Sequence, residues 1–271
     1  MMSIRFSINH MIAPNMPLAD FFAFVKAQNV GLVEIRNDIA NDPMALGLDP
    51  AEVKDLAAQN GVEICTINAL QRFNEWNDTR ATEAKALIDY AAQCGAKGLV
   101  MCPVNDHDYG KSEQELDDTL RQSLTALKPM YEEAGIIGLV EPLGFPQCSL
   151  RLKEKAVAAI RDVAGEGVFR LVHDTFHHHL AGEQSFFADM TGLIHISGVE
   201  DPAIAVADML DDHRILVGEA DRLDNIGQLK LLLATGYDGP VSFEPFAAEI
   251  HQLDDVAPLL NQSMDYIKAA L

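Results

Sequence analysis

Four side chains able to bind a metal stand at the ends of short apolar runs in this chain: Glu141 after IIGLV, Asp174 after FRLVH, His195 inside GLIHIS and Glu244 inside GPVSFEP. Three carboxylates and one imidazole make a donor set for a single hard or borderline divalent ion, Mg²⁺, Mn²⁺, Zn²⁺ or Co²⁺. Helix-length stretches separate the runs, so as neighbouring parallel strands they would bring all four residues to one rim of a sheet. Taken singly, an Asp or Glu at a strand end reads equally well as a helix cap or a solvated charge. The set of four points to a site, and Glu244 strengthens it, because a carboxylate inside an apolar strand needs a metal or a cation beside it.

Other groups surround these four in the sequence. In DTFHHH, His177 follows Asp174 by three positions and could support a ligand, be a ligand itself or donate to a substrate. His178 and His179 read as exposed positions on the first turn of a helix. His173 should face the opposite side of its strand from Asp174, between sheet and helix, since strand side chains alternate. Arg214, in DDHRILVGEADRLDN, either holds a substrate oxygen or pairs with Asp211 or Asp212. Asn68, Phe73 and Trp76, in NALQRFNEWND, would line a sugar-sized pocket or pack a loop. Cys102 and Cys148 carry no activating motif and read as buried thiols.

The elements that must position these groups recur along the chain. Eight β-rich runs are visible: RFSIN (5–9), LVEIR (32–36), EICTIN (63–68), GLVMC (98–102) and the four already named. Between them lie segments with apolar residues recurring at three and four, such as 51–60, 81–94, 122–135 and 152–165, which read as helices. Several end in Gly or Asn just before the next strand, as helices returning to a sheet do. Apolar strands buried on both faces, alternating with helices eight times, predict an α/β fold, a single (β/α)8 TIM barrel spanning residues 1–271. An open doubly wound sheet is the competing architecture, and no G-x-G-x-x-G or G-x-x-x-x-G-K turn follows the first strand to support it. In a barrel the chemistry sits at the C-terminal strand ends, where Asn9, Glu34 and Asn68 join the four metal candidates.

With 271 residues the chain has the length of one such barrel, typically about 250. A formal net charge of −21 disfavours nucleic acid and anionic membranes as partners. The four cysteines form no C-x-x-C pair, MMSIRFSIN lacks the pattern of a secretory leader, and no apolar stretch nears the roughly 20 residues of a membrane span. A cytoplasmic protein acting on a small molecule is the expectation, and the sequence leaves room for a homo-oligomer.

VEIR (33–36), INAL with Phe73 and Asn74, EPLGFPQCSL (141–150), LVHDTFHHHLAG (171–182), IHISGVED (194–201), DHR (212–214) and VSFEPF (241–246) together resemble the sugar phosphate isomerase/epimerase superfamily of xylose isomerase-like TIM barrels, most closely its inosose isomerase branch. The resemblance implies that Glu141, Asp174, His195 and Glu244 ligate one divalent ion, that His177 lies beside it and that Arg214 reaches the substrate. It further implies isomerisation or epimerisation of a polyol or ketose through an enediolate, with Glu141 and Glu244 as ligands and proton carriers. Tagatose- and psicose-type 3-epimerases of the superfamily carry a further Glu where this chain has Gln147, which favours the isomerase over the epimerase. VGEADRLDN (217–225) replaces the superfamily's usual P-G-x-G loop, and the histidines of endonuclease IV-type repair enzymes are replaced by Asn68 and Pro103. A sugar-binding barrel without catalysis, and a metal-dependent hydrolase or lyase, remain the alternatives, because fold does not fix reaction.

Overall fold

Strands apolar on both faces leave no edge that water can cover, and the chain resolves this by closing its sheet. In the computed structural model, which describes residues 4–271, the strands are β1 (Arg5–Asn9), β2 (Leu32–Arg36), β3 (Glu63–Gln71), β4 (Gly98–Cys102), β5 (Ile137–Val140), β6 (Phe169–Asp174), β7 (Thr191–Ile196) and β8 (Pro240–Phe243). They pair in parallel in sequence order, and β8 returns to β1 to complete a barrel. The helices are α1 (Leu18–Ala27), α2 (Pro50–Asn60), α3 (Asp78–Cys94), α4 (Glu113–Ala134), α5 (Lys153–Asp162), α6 (Thr175–Ala181), α7 (Asn225–Ala234), α8 (Ala248–His251) and α9 (Ala257–Ala270). The first three residues of MMSIRFSIN lie outside the described residues. Among the described residues no helix is long and apolar enough to cross a membrane.

Strand alternation divides the core in two. Ile8, Val33, Ile35, Leu99, Met101, Val140, Leu171, Ile194, Val241 and Phe243 join the large cluster between barrel and helices. Neighbours of the opposite phase, Val100, Leu139, Val172 and Leu193, join Ala69 in a separate cluster inside the barrel. Each fully buried aliphatic side chain of this kind contributes about 1.5–3 kcal/mol relative to exposure.

Helix limits follow local chemistry. Asp49 and Glu52 form a capping box before α2 with Pro50 in its first turn, and Ser112 with Glu115 does the same for α4. That second box extends α4 back to Glu113 through a polar stretch that apolar periodicity alone does not mark. Gly61, Gly95 and Gly135 terminate α2, α3 and α4 in the left-handed conformation, as the sequence signals indicate.

The histidines behind β6 correct one expectation. His178 is buried rather than exposed, its ring centroid 4.8 Å from that of His173 and 4.6 Å from that of Phe186, and His179 is half-buried. The reason is that α6 starts directly at the end of β6 and the chain folds back over it at Phe186, so the helix's first turn has no free face. His173 does point away from Asp174. Its Nε2 lies 2.8 Å from Gln228 Oε1 and its Nδ1 lies 2.9 Å from Lys153 Nζ. Gln228 Oε1 is an acceptor, so Nε2 carries the proton and Nδ1 accepts from the ammonium of Lys153.

Burial pushes the Lys153 ammonium down to about 8, with Glu183 opposing the shift, against 10.5 for an unperturbed lysine. Between those two values the unfolded chain binds more protons than the folded one, so this group's contribution to stability rises with pH across that window. Relative to Lys153→Met, the wild type should therefore gain stability as pH climbs from about 8 towards 10.5, read from urea midpoints. Parallel pH responses of the two proteins would show that the amine is not held in this way.

Candidate metal centre

The four candidate ligands meet because the barrel's hydrogen-bond ladder runs on past its strands. Glu141 and Glu244 are the first residues after β5 and β8, and their amides donate to Met101 O at 3.1 Å and Ile196 O at 2.9 Å. Asp174 and His195 are paired across β6 and β7. Each of the four offers one ligand atom, all these atoms lie within 4.8 Å of one another, and all four residues are buried. His195 turns Nδ1 to the cluster, 2.9 Å from Glu141 Oε1, 3.2 Å from Glu244 Oε2 and 3.9 Å from Asp174 Oδ2.

Asp174 serves two purposes with its two oxygens. Oδ1 caps α6, accepting from Phe176 N at 2.7 Å and His177 N at 3.1 Å, while Oδ2 turns to the cluster and accepts from Arg214 at 2.6 Å. The helix-cap reading and the ligand reading therefore both apply to this residue.

Two charged residues at the heart of the site have no role assigned from sequence, although Glu34 stands among the strand ends that carry the chemistry. Glu34 is fully buried with its oxygens 3.1 and 3.2 Å from His195 Nε2, and it also accepts from Thr66 Oγ1 at 2.5 Å, Asn68 Nδ2 at 2.8 Å and Asn9 Nδ2 at 3.3 Å. A carboxylate behind an imidazole fixes its tautomer and aims the other nitrogen at a metal. Arg36, at the end of β2, donates to Glu244 Oε1 at 2.6 Å. The signal for both was in LVEIR, where two charges sit at alternate positions of an apolar strand and hence on one face.

The remaining candidates fall at different distances from the chemistry. Arg214 is 1% exposed and already engaged: Nε donates to Ser197 Oγ at 3.0 Å, Nη1 to Asp211 at 2.9 Å, and Nη2 to Asp174 and to Glu244 Oε2 at 3.0 Å. The Asp211 pair and the reach into the site are thus both real, and the arginine acts first as a clamp on two carboxylates. His177 is buried against Phe145 and Phe176, with ring centroids 5.4 and 5.3 Å away, and its Nδ1 is buried without a partner among the described residues. Asn68 spends its amide on Glu34 and on Thr66 Oγ1, and Trp76, in the loop after β3, is half-buried against the core. Cys102 donates to Glu141 Oε2 at 3.4 Å, and Cys148 is buried.

Two loops around the site are tightly held. Gly144, after β5, has φ +70°, and a Cβ there would fall 2.1 Å from the carbonyl oxygen of His177. Arg151 adds bonds to Gly144 O at 2.8 Å and Leu180 O at 3.1 Å. In the 217–225 segment, Asp221 accepts from the amides of Val199, Leu223 and Asn225 at 3.3, 3.2 and 3.0 Å.

Electrostatics fit a cation at the cluster. Burial disfavours the His195 imidazolium, but Glu244, Glu34 and Glu141 around it prevail and hold its pKa well above the ordinary value. Burial works against the charge of Glu34 too, yet the charge and hydrogen bonds of His195, with the bond from Thr66, pull it down to about 2. Asp174 is likewise drawn to about 2 against burial, chiefly by Arg214, then His177 and His195. For Glu244 burial wins over the neighbouring His195 and arginines, and its pKa is raised. Three oxygens and one nitrogen, all buried and with the imidazole backed by a carboxylate, are a donor set that suits one divalent ion.

The sequence profile described as "Xylose isomerase-like TIM barrel" matches residues 20–270. This chain belongs to that family. Among its relatives, an inosose isomerase of Halalkalibacterium halodurans is 28% identical over 213 residues, covering 74% of this chain and 73% of the relative. An inosose isomerase of Bacillus subtilis is 29% identical over 197 residues, covering 69% of each. Among solved structures, a xylose isomerase domain containing protein from Salmonella typhimurium superposes with a TM-score of 0.87 at 32% identity, over 99% of this chain and 98% of the other. The IolI protein with a bound zinc atom superposes at 0.83 with 22% identity, over 98% and 97%, and shares the fold.

A ligating imidazole must be unprotonated, so an ion entering this cluster has to displace the proton that the carboxylates hold on His195. Affinity for Zn²⁺ or Mn²⁺ should therefore rise with pH until His195's own elevated pKa is passed, and uptake should release about one proton. Calorimetric titration in buffers of different protonation enthalpy measures this, and identical heats in all buffers would refute the protonated state. Glu34→Gln should weaken the ion by about 10- to 100-fold, measured in the same titration.

Proposed function

We propose that this chain is a divalent-metal-dependent isomerase of a keto-polyol or ketose, moving a proton between adjacent carbons of an inosose-type substrate. The observation that carries the reading is the buried Glu141–Asp174–His195–Glu244 cluster at the C-terminal mouth of the barrel. Relatives named inosose isomerase, matched over roughly two thirds to three quarters of the chain, support the substrate class.

A divalent ion held there supplies Lewis-acid stabilisation to oxygens that gain charge when a proton leaves the neighbouring carbon, typically worth several kcal/mol. The chain's own residues do the rest. Among the described residues Glu141 Oε2 meets only the Cys102 thiol, at 3.4 Å, so it is the carboxylate oxygen with capacity to take a proton from one carbon and return it to the next. Both oxygens of Glu244 already accept strong bonds from Arg36 and Arg214, which suits it to ligation more than to proton transfer. His177 Nδ1, buried without a partner among the described residues, has a hydrogen bond to offer a substrate hydroxyl or carbonyl. Arg214 fixes Asp174 and Glu244 beside it.

Exchange of solvent deuterium into 2-keto-myo-inositol and a panel of ketoses tests the reading, since isomerisation preserves mass while exchanging the migrating hydrogen. The metal-loaded wild type should incorporate deuterium. Glu141→Gln should weaken the ion and, with metal in saturating excess, still lose about 10²- to 10⁴-fold in exchange rate, and Glu244→Gln should lose ion and turnover together. A product of altered mass would indicate a hydrolase or lyase on this scaffold, and a loaded wild type inert towards the whole panel would favour a sugar-binding barrel. An inverted ketose as product would indicate the 3-epimerase, against the Gln147 signal.

A further inference from the structure

We propose that Arg36 is a positioning residue for Glu244: seated on Phe246 and locked by Asp38, it holds one carboxylate oxygen of Glu244 and so leaves only the other to face the metal position. The inference rests on the metal-centre reading above and assigns a role to a residue outside the four-ligand cluster.

Arg36 is 4% exposed, and all three of its guanidinium nitrogens are engaged. Nε and Nη2 donate to the two oxygens of Asp38 at 2.7 Å each, a two-pronged pair that fixes the guanidinium plane. Nη1, the remaining arm, reaches Glu244 Oε1 at 2.6 Å and Asn9 Oδ1 at 3.2 Å. Asn9 Nδ2 donates to the same Glu244 oxygen at 3.2 Å. Oε1 therefore has two donors on it. Oε2 lies on the inner side, 3.2 Å from His195 Nδ1 and 3.0 Å from Arg214 Nη2.

The support under this arrangement is aromatic. The Phe246 ring centroid is 5.3 Å from Arg36 Cζ and 4.7 Å from Arg214 Cζ, so one ring carries both guanidiniums that grip Glu244. A carboxylate can swing about its last torsion and offer either oxygen, or both, to an ion. Here the swing is blocked at Oε1, and Glu244 can serve only through Oε2. A plain buried ion pair would also place Arg36 near Glu244, and such pairs are weak grounds for a stabilising role. The planar lock on Asp38, and the direction of the one remaining arm, separate positioning from simple charge balance.

The test is calorimetric titration of Zn²⁺ and Mn²⁺ into the wild type, Arg36→Met, Arg36→Lys and Asp38→Asn, with melting curves of each protein before metal is added. Arg36→Met should weaken the ion by about 10- to 100-fold. Arg36→Lys keeps the charge but cannot bond Asp38 and Glu244 in one plane, and should fall well short of the wild type. Asp38→Asn leaves Arg36 in place with its plane released and should show a several-fold loss, which decides the matter if Arg36→Met does not fold. Methylguanidinium added to Arg36→Ala should recover part of the lost affinity, which a merely structural role would not show. Wild-type affinity in Arg36→Met, or in Asp38→Asn if the former is unfolded, overturns the positioning role and leaves the metal centre standing. A wild type that takes up neither ion overturns the metal centre and this role with it.

Discussion

Like charges confined in a dry space govern this molecule. Glu34, Glu141, Asp174 and Glu244 converge at one end of the barrel, none more than 4% exposed. Four carboxylates this close and this far from water cannot all remain ionised without cations interleaved among them. The structure supplies His195 against Glu34, Glu141 and Glu244, Arg214 against Asp174 and Glu244, and Arg36 against Glu244 and a flanking Asp38. Phenyl rings of Phe176 and Phe246 lie against the guanidiniums, so the cations are buried in a polarisable setting rather than in plain hydrocarbon. The cap on α6 and the bonds around Asn9 complete the hydrogen bonding of this core of charge.

Such a cluster can exist only in a closed sheet. Its members come from β2, the ends of β5 and β8, β6, β7 and the loop after β7, and no two neighbouring strands contain enough of them to balance alone. Ring closure through the β1–β8 pairing brings Glu244 beside Asn9 and Arg36. The apolar layers supply the driving force for closing the ring, and the polar cluster depends on that force having been met elsewhere. This separation explains how one end of the barrel can hold concentrated charge while the outward faces of the same strands are largely apolar, with His173 the polar exception on β6.

The architecture was legible because it repeats. Eight apolar runs, each followed by an amphipathic segment and often by a glycine stop, state the fold eight times over, and five-residue runs such as RFSIN, LVEIR and GLVMC coincide with β1, β2 and β4 to the residue. The four cluster members were legible because each interrupts an apolar run with a metal-capable group. Arg36 and Glu34 were harder, since their significance lies in partners more than a hundred residues away: Glu34 behind His195, and Arg36 on Glu244. His178 was misread for a related reason, because its burial depends on Phe186 returning over α6, a tertiary event with no local signature. Lys153 likewise looks like an ordinary first-turn lysine until His173 and Phe186 close around it.

The close approach of Gly144 to the His177 carbonyl ties the loop after β5 to helix α6, and Arg151 fastens the same two segments again at Gly144 and Leu180. Substrate preference in a barrel is commonly altered by exchanging one loop at a time between relatives, on the assumption that loops are independent modules. In this barrel that modularity stops between β5 and α6. A graft of residues 141–151 from another member of the family brings its own backbone contour against a neighbour built for a different one, and the histidine beside the cluster shifts with it. Residues 141–151 and 174–182 form a single unit of inheritance, to be transplanted together or left alone.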